Sequence, residues 1–328
     1  MITQSPVAVL SARAPFDLKI FAQKYSTLVV LALVIVTFSL MTERFLTTGN
    51  LLNILQQISM LTIVAVGLTF GFSVREMDLS VGFTAALGGL IVPLCLLKGC
   101  SLGVALLCGL AAGVAVGVCN VLLIVVIGVP SLIATIAVGE ILFGINFVMT
   151  DGRAIYGTFP DSYISLGQGQ VFGIPTPAVI MIAVVALSWV ILQRTVFGRH
   201  LYAVGGNARA AELAGINVAL FRSAGLLVSA VLATVAGIVL SARLGSGQPA
   251  AGDSYLLDGL AAVFLGMTML RPGTSTILGT FYGALLIGVM NNGLNLLGMD
   301  SYFQSIIKGV IIVLAVAVVS KTTKIKLT

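Results

Sequence analysis

Ten long apolar runs, separated by short polar or charged segments, make up most of this chain. A helix needs roughly 20 mostly apolar residues to span a bilayer. The runs therefore predict an all-α membrane protein, a polytopic bundle of about ten transmembrane helices. We place the spans at 26–43, 51–73, 79–97, 102–127, 131–149, 177–197, 220–242, 254–270, 275–297 and 302–320.

The composition leaves no room for a water-soluble domain of useful size. The chain has 328 residues, of which 59% are hydrophobic and 9% charged, with a mean hydropathy of +1.14. Soluble domains carry about 25% charged residues. We expect one transmembrane domain over residues 26–320, between an N-terminal tail (1–25) and a basic C-terminal tail (321–328).

The distribution of lysine and arginine predicts the orientation of these spans. With both termini inside, twelve of the 17 basic residues lie in inside segments, and Lys308 falls within the last span. The outside segments hold Arg44, Lys98, Arg153 and Arg243. Because basic residues are retained on the cytoplasmic side, both termini are predicted to be cytoplasmic. The sequence pI near 9.3 is thus a signal of orientation and does not predict nucleic-acid binding.

The eighth span is short. Residues 259–270 supply only 12 uncharged positions, and Asp258 lies at the outer end of this run. The run is either a broken helix beside a transport path or an ordinary span that residues 255–257 extend. The sequence leaves both alternatives open.

Small residues and thiols predict packing rather than chemistry. Glycines recur every four residues in the fourth span, a spacing that brings two helix backbones close together. They are Gly109, Gly113 and Gly117. Cys95, Cys100, Cys108 and Cys119 are predicted to be buried free thiols. With a single histidine, His200, no metal site is predicted.

No motif for catalysis or nucleotide binding is present. The chain lacks G-x-x-x-x-G-K-[ST], G-x-S-x-G and H-E-x-x-H, and Glu140 is the one acidic residue that we place deep in a span. Glu140 and His200 are far apart in the predicted topology, so no acid–base pair is evident. We predict no catalytic residue and no cofactor. If the chain moves a solute across the membrane, the work must come from another polypeptide, or the movement is passive.

The richest polar segment runs from residue 198 to residue 216, inside the membrane by the predicted orientation. Asn207 is expected to cap a short helix over residues 208–214, which Gly215 ends. Gly205 and Gly206 permit a sharp turn before that helix. A short surface helix of small residues fits a groove of a partner. The alternative is an ordinary basic loop.

Two further polar groups are candidates for function. Asp78 and Ser80, followed by Gly82, are expected to cap the third span, as structural or gating residues. The amides could pair with a hydroxyl-rich solute or form hydrogen bonds between helices, because a bare amide is costly in lipid. These amides are Asn120, Asn146, Asn291, Asn292, Asn295 and Gln304.

Four of these segments resemble a known family. They are Met77-Asp78-Leu79-Ser80-Val81-Gly82, the 198–216 segment, Asn291-Asn292-Gly293-Leu294-Asn295 and Gln304-Ser305-Ile306-Ile307-Lys308-Gly309. The chain resembles the permease subunits of ribose-type bacterial ABC sugar importers from about residue 50 to residue 317. One departure is Arg75-Glu76-Met77, where family members commonly have Gly-Gly-Ile.

The resemblance implies a type II ABC importer permease that translocates a monosaccharide across the bacterial inner membrane. A separate ATP-binding cassette subunit would dock on a coupling helix in the cytoplasmic 198–219 loop. A periplasmic sugar-binding protein would meet the 150–176 loop, and a second copy or a paralogue would complete the pore. The alternatives are a secondary transporter or facilitator of a small polar solute and, less favoured, a membrane-embedded enzyme. The implied coupling residues are Gly198, Arg199, Gly205, Gly206, Asn207, Arg209, Ala211, Glu212 and Gly215.

Overall fold

The structure, a computed structural model, describes residues 18–269 and 273–323. Most of both predicted tails, at 1–17 and 324–328, lies outside the described residues, as does residue 270 at the end of the eighth predicted span. The helices are α1 (Leu18–Met41), α2 (Thr48–Ser73), α3 (Val81–Leu97), α4 (Leu102–Val121, continued by a π-helical Leu122–Val126), α5 (Ser131–Thr150), α6 (Asp161–Gln168), α7 (Thr176–Arg194), α8 (Val196–Gly206), α9 (Ala208–Leu213), α10 (Val218–Leu244), α11 (Asp253–Met267), α12 (Ile277–Leu296) and α13 (Ser301–Thr323). The strands are β1 (Ile155–Tyr156), β2 (Gln170–Val171), β3 (Ile174–Pro175) and β4 (Ser246–Gly247).

Each of the ten predicted spans coincides with one helix, so the all-α fold is confirmed. Among the described residues, six helices are long and apolar enough to cross a membrane: α2, α4 with its π-helical extension, α5, α7, α10 and α12. Two shorter apolar stretches are Thr27–Met41 of α1 and Val81–Leu97, which is α3. Polar side chains define several helix starts. Thr47, Ser101 and Thr276 each accept a backbone N–H from the first turn of the helix that follows.

Helix α10 lies at the centre of the bundle and packs against α2, α3 and α4. On the other side, α12 packs against α2 and α11, with α1 on α12 and α13 on α11. A Cβ at Gly113 would lie 2.0 Å from Thr234 Oγ1, and one at Gly237 would lie 1.8 Å from the Ala85 carbonyl oxygen. The glycine repeat of α4 is therefore a packing face, as its spacing predicted.

The outer faces of α1, α4, α5, α7 and α13 carry large exposed apolar side chains. Such faces suit a protein whose surroundings are lipid, because lipid tails are as apolar as a leucine core. Cysteines can also occupy such lipid-facing positions, and the prediction that all four are buried is wrong. All four are free thiols, but Cys108 and Cys119 are exposed, and Cys95 and Cys100 are half-buried.

The 150–176 segment contains the short helix α6 and is packed against the bundle. Strand β1 pairs antiparallel with β4, and β2 pairs with β3. The buried Tyr163 hydroxyl forms a 2.7 Å hydrogen bond with Ser241 of α10, and Gln56 of α2 donates to the Gly167 carbonyl at 3.0 Å. We call this side of the bundle the α6 end and the opposite side, where α8 and α9 lie, the α9 end.

Helix α11 is one unbroken helix of fifteen residues that includes residues 255–257. At 1.5 Å per residue it is about 22 Å long, shorter than the ~30 Å hydrocarbon core of a bilayer. The chain reaches it through residues 248–252, and a Cβ at Gly252 would lie 1.9 Å from the Gly82 carbonyl oxygen. The starts of α3 and α11 are therefore in direct contact.

Candidate functional sites

The 198–216 segment forms two helices at the α9 end, and local sequence explains each boundary. Thr195 Oγ1 accepts the Gly198 N–H at 3.3 Å at the start of α8. Asn207 Oδ1 accepts the Ala210 N–H at 3.0 Å, which confirms Asn207 as the cap of α9. Gly215 has φ = +81° and follows α9, a conformation that glycine adopts without strain. The predicted short helix is present over Ala208–Leu213.

The sharp turn predicted at Gly205 and Gly206 is wrong. Both residues are helical, and the chain breaks at Asn207, whose backbone is extended. Gly205 is buried and leaves no room for a side chain, because a Cβ there would lie 2.0 Å from the Ser73 carbonyl oxygen. Gly198 is buried in the same way, against the backbone of residues 191 and 192. These glycines allow α8 to pack closely, rather than to bend.

Apart from Ala211, the remaining coupling candidates form an exposed surface on and beside α8 and α9. Arg209 donates to Glu212 at 2.6 Å, and both side chains are largely exposed. Arg199 is exposed on α8, whereas Ala211 is buried in a small apolar cluster at the α9 end. Helix α9 is thus held by Ala211 and presents its charges outward.

A cavity of about 210 Å³ opens beside α9. It lies between residues 74–76 of the connection from α2 to α3, the end of α8 and the start of α10. Arg222 Nε donates to Glu76 Oε1 at 2.5 Å, and Arg75 is exposed with φ = +61°. An arginine thus stands in a left-handed conformation that favours glycine. The departure from the family pattern at residues 75–77 lies directly at this cavity.

Asp78 is the hub of a buried hydrogen-bond network at the start of α3. Its Oδ1 accepts the backbone N–H of Ser80 at 3.0 Å and the Ser80 hydroxyl at 2.6 Å. Its Oδ2 accepts the Ser229 hydroxyl of α10 at 2.9 Å. Asn120 of α4 donates to Ser80 Oγ at 3.1 Å. Burial raises the pKa of the Asp78 carboxyl, and the hydrogen bonds from Ser80 and Ser229 oppose that rise.

The prediction that Asp78 and Ser80 cap α3 is wrong in detail. Ser80 occupies the N-cap position, but its side chain forms no cap hydrogen bond and donates to Asp78 instead. Asn146 of α5 lies nearby and donates to the Phe83 carbonyl at 3.1 Å. Gly82 packs on Gly252. Candidates from three parts of the sequence therefore surround the first turn of α3, and we call them the α3-start cluster: Asp78, Ser80, Gly82, Asn120 and Asn146.

The other amides lie toward the α6 end, where they pair across helices. Asn292 and Asn50 exchange two hydrogen bonds of 2.9 Å, which join α12 to α2. Gln304 Nε2 donates to Asn295 Oδ1 at 2.7 Å and joins α13 to α12. Asn291 Nδ2 donates to Asp258 Oδ2 at 3.3 Å. The interhelical hydrogen bonds that the sequence allowed are therefore present.

Sequence reasoning missed an ion pair between α11 and α13. Lys308 Nζ lies 3.0 Å from Asp258 Oδ2, and only 19% and 9% of the two side chains are exposed. The sequence signal was available: a lysine inside one span and an aspartate at the edge of another. Glu140, which we had expected to be the deep acidic residue, is exposed on α5. We call Asp258, Asn291 and Lys308 the α11–α13 cluster.

Within the described residues, no group of three or more His, Cys, Asp or Glu side chains could hold a metal ion. His200 packs edge-on against Phe221, with ring centroids 5.1 Å apart. The polar side chains of the α3-start cluster and the α11–α13 cluster can bind and orient another polar group through hydrogen bonds and charge. Their chemistry suits the recognition of a polar solute or of another helix.

Comparison with known proteins gives consistent relatives over nearly the whole chain. The family described as branched-chain amino acid transport system / permease component matches residues 50–316. The ribose import permease protein RbsC of Haemophilus influenzae is 40% identical over 319 residues, 92% of this chain and 94% of the relative. The D-allose transport system permease protein AlsC of Escherichia coli K12 is 34% identical, with 94% of each chain covered. The L-arabinose transport system permease protein AraH of the same organism is 32% identical, with 89% of each covered. No solved structure matches the chain.

Proposed function

Because this chain belongs to the branched-chain amino acid transport system / permease component family, we propose that it is the transmembrane permease of an ATP-driven importer of monosaccharides. The observation that carries the sugar assignment is identity of 32–40% across almost the full length to permeases named for ribose, D-allose and L-arabinose. As a permease component, the chain is a multi-pass transport subunit and not an enzyme.

The proposed partners follow from the surfaces at the two ends. An ATP-binding cassette subunit would dock on α8, α9 and the adjoining cavity, where Arg75, Arg199 and the Arg209–Glu212 pair are exposed. A periplasmic sugar-binding protein would meet the packed 150–176 segment at the α6 end. A second copy or a paralogue would complete the pore, and lipid would cover the exposed apolar faces.

The proposed location is the bacterial inner membrane, with the α9 end and both termini in the cytoplasm. The basic residues support this orientation, because most of those outside the spans fall on the α9 side of the predicted topology. Alternation between inward-open and outward-open states would move the sugar, with each state stabilised by different contacts to the partners.

Reconstitution tests the proposal. Purified permease is placed in proteoliposomes with its ATPase subunit and binding protein, and uptake of D-ribose, D-allose and L-arabinose is measured with and without ATP. We expect uptake of at least one sugar that requires ATP and the ATPase. Uptake that continues without the ATPase, or that follows an ion gradient, would instead establish a secondary transporter.

A charge reversal tests the docking surface within the same assay. Glu212→Arg breaks the exposed pair on α9, and we expect the ATPase to be lost from the purified complex together with transport. Glu43→Arg is the matched control, because Glu43 is equally exposed but lies in the connection between α1 and α2 at the α6 end. If the Glu212→Arg variant retains the ATPase, the docking site lies elsewhere.

A further inference from the structure

The α11–α13 cluster retains hydrogen-bonding capacity that the Asn50–Asn292 pair does not. Asn50 and Asn292 form a closed pair, in which the amide of each side chain donates to the other. In the cluster, both donors to Asp258 reach the same oxygen, Oδ2. Asn291 Oδ1 is buried and has no partner among the described residues.

The charges of the cluster are costly in their surroundings. Ionisable side chains inside transmembrane segments are rare and mark the paths of substrates or ions. Apolar side chains of similar volume often stabilise a helix contact about as well as a buried ion pair does. The Asp258–Lys308 ion pair is also not fully buried, because 19% of the Lys308 side chain remains exposed.

The open groups have the chemistry of hydroxyl recognition. An ammonium group offers three donors, of which Lys308 uses one on Asp258. Asp258 Oδ1 and Asn291 Oδ1 are acceptors. A hydroxyl group both donates and accepts, so two neighbouring hydroxyls of a sugar can accept from Lys308 and donate to these two oxygens.

We propose that Asp258, Asn291 and Lys308 form a binding site for adjacent hydroxyl groups of the transported monosaccharide. The site rests on the proposed function for the identity of its ligand. It assigns a role in the transport path to two charged residues, Asp258 and Lys308, and distinguishes Asn291 from its neighbour Asn292, which is paired with Asn50.

The test uses the purified wild-type permease in lipid nanodiscs, with D-ribose at millimolar concentration as the probe. Saturation-transfer NMR measures contact between the protein and the ribose protons without the binding protein. We expect Asp258→Asn and Lys308→Met to reduce the transferred signal to that of empty nanodiscs. Thr69→Val is the matched control, because it removes a buried 2.7 Å hydroxyl contact between α2 and α12 outside the cluster.

A charge exchange separates binding from structure. Asp258→Lys with Lys308→Asp restores an ion pair, so thermal stability should return toward wild type, but donors and acceptors change places and the ribose signal should stay lost. Asn291→Leu keeps the ion pair and provides a second variant if the single charge variants fail to fold. A ribose signal at the wild-type level in the exchanged variant or in Asn291→Leu would overturn the proposal, as would its absence from the wild type.

The two proposals fail in different ways. A wild-type permease that gives the ribose signal but no ATP-dependent uptake contradicts the proposed function and leaves the site intact. ATP-dependent uptake with a ribose signal that the cluster variants do not change supports the permease and overturns the site.

Discussion

Two of the buried carboxylates of this chain, Asp78 and Asp258, are held in different ways. Asp78 lies in the connection before α3 and accepts only from neutral donors: the hydroxyls of Ser80 and Ser229, the Ser80 backbone N–H and, at 3.5 Å, the Asn120 amide. Asp258 lies inside α11 and faces the ammonium group of Lys308. The first is sealed within three packed helices, whereas the second joins two helices at the side of the bundle.

The difference indicates what each carboxylate contributes. The donors around Asp78 are short side chains at the N-cap of α3, on α4 and on α10, so the α3-start cluster fixes the positions of these three helices. The α11–α13 cluster holds its helices through one ion pair and keeps acceptors free. A network of neutral donors loses little when one donor is removed, whereas a buried ion pair that loses one partner leaves a bare charge.

The largest predicted effect comes from Lys308→Met. It leaves the Asp258 carboxylate buried without a cation, and we expect the free energy of unfolding to fall by about 3 kcal/mol. Denaturant titration of the purified permease in mixed micelles measures the change. The double variant Asp258→Leu/Lys308→Met should regain most of the loss. If it stays as unstable as the single variant, the charge is not the cause.

A smaller effect is expected from Asp78→Ala. The hydroxyls of Ser80 and Ser229 lose their acceptor, but they can rotate toward backbone carbonyls, so we expect a loss of about 2 kcal/mol by the same titration. Asp78→Asn retains an acceptor oxygen and should lose less. A greater loss for Asp78→Ala than for Lys308→Met would reverse the comparison between the two carboxylates.

Ser229→Ala removes one neutral donor from the Asp78 network and sharpens the comparison further. We expect a loss of about 1 kcal/mol, because Ser80 still donates to the carboxylate. Thr234→Ser is the control, because it changes another residue of α10 and keeps the hydroxyl that donates to the Ala230 carbonyl. A loss equal to that of Asp78→Ala would show that the network fails as a unit.

The smallest effect concerns pH. Burial raises the pKa of Asp78 from its ordinary value of 3.8, so the folded state holds this proton more tightly than the unfolded state. Its contribution to stability is fully present below pH 3.8 and is lost as the pH rises through the folded pKa. Thermal midpoints between pH 4 and pH 8 should therefore fall more in the wild type than in Asp78→Asn. Parallel curves would contradict the raised pKa.

The sequence predicted the helices well because the signals for them are local. The apolar runs give the spans, and Asn207 and Gly215 mark the ends of α9 by their own chemistry. The contacts of the sites join residues that are distant along the chain. Lys308 is fifty positions from Asp258, and Ser229 is 151 positions from Asp78. No local pattern encodes such pairs.

The wrong predictions also arise because contacts between distant residues cannot be read from a local pattern. Gly205 and Gly206 look like a turn, but Gly205 is small because the backbone of Ser73 passes next to it. The cysteines look like core residues, but lipid-facing positions accept the same side chains. Hydrophobicity therefore predicted which segments are helical without predicting which face of each helix points inward.

The ladder between β1 and β4 ties the segment around Tyr156 to Ser246, and five residues separate β4 from the start of α11. Residues 248–252 are fixed at their end by the contact of Gly252 with Gly82, so this connection has little freedom to move. Strand β1 is therefore connected to the helix that carries Asp258 through β4 and those five residues. The contact of Gly82 with Gly252 fixes the far end of this connection beside the α3-start cluster, so we expect a displacement of β1 to reach the starts of α11 and α3 together.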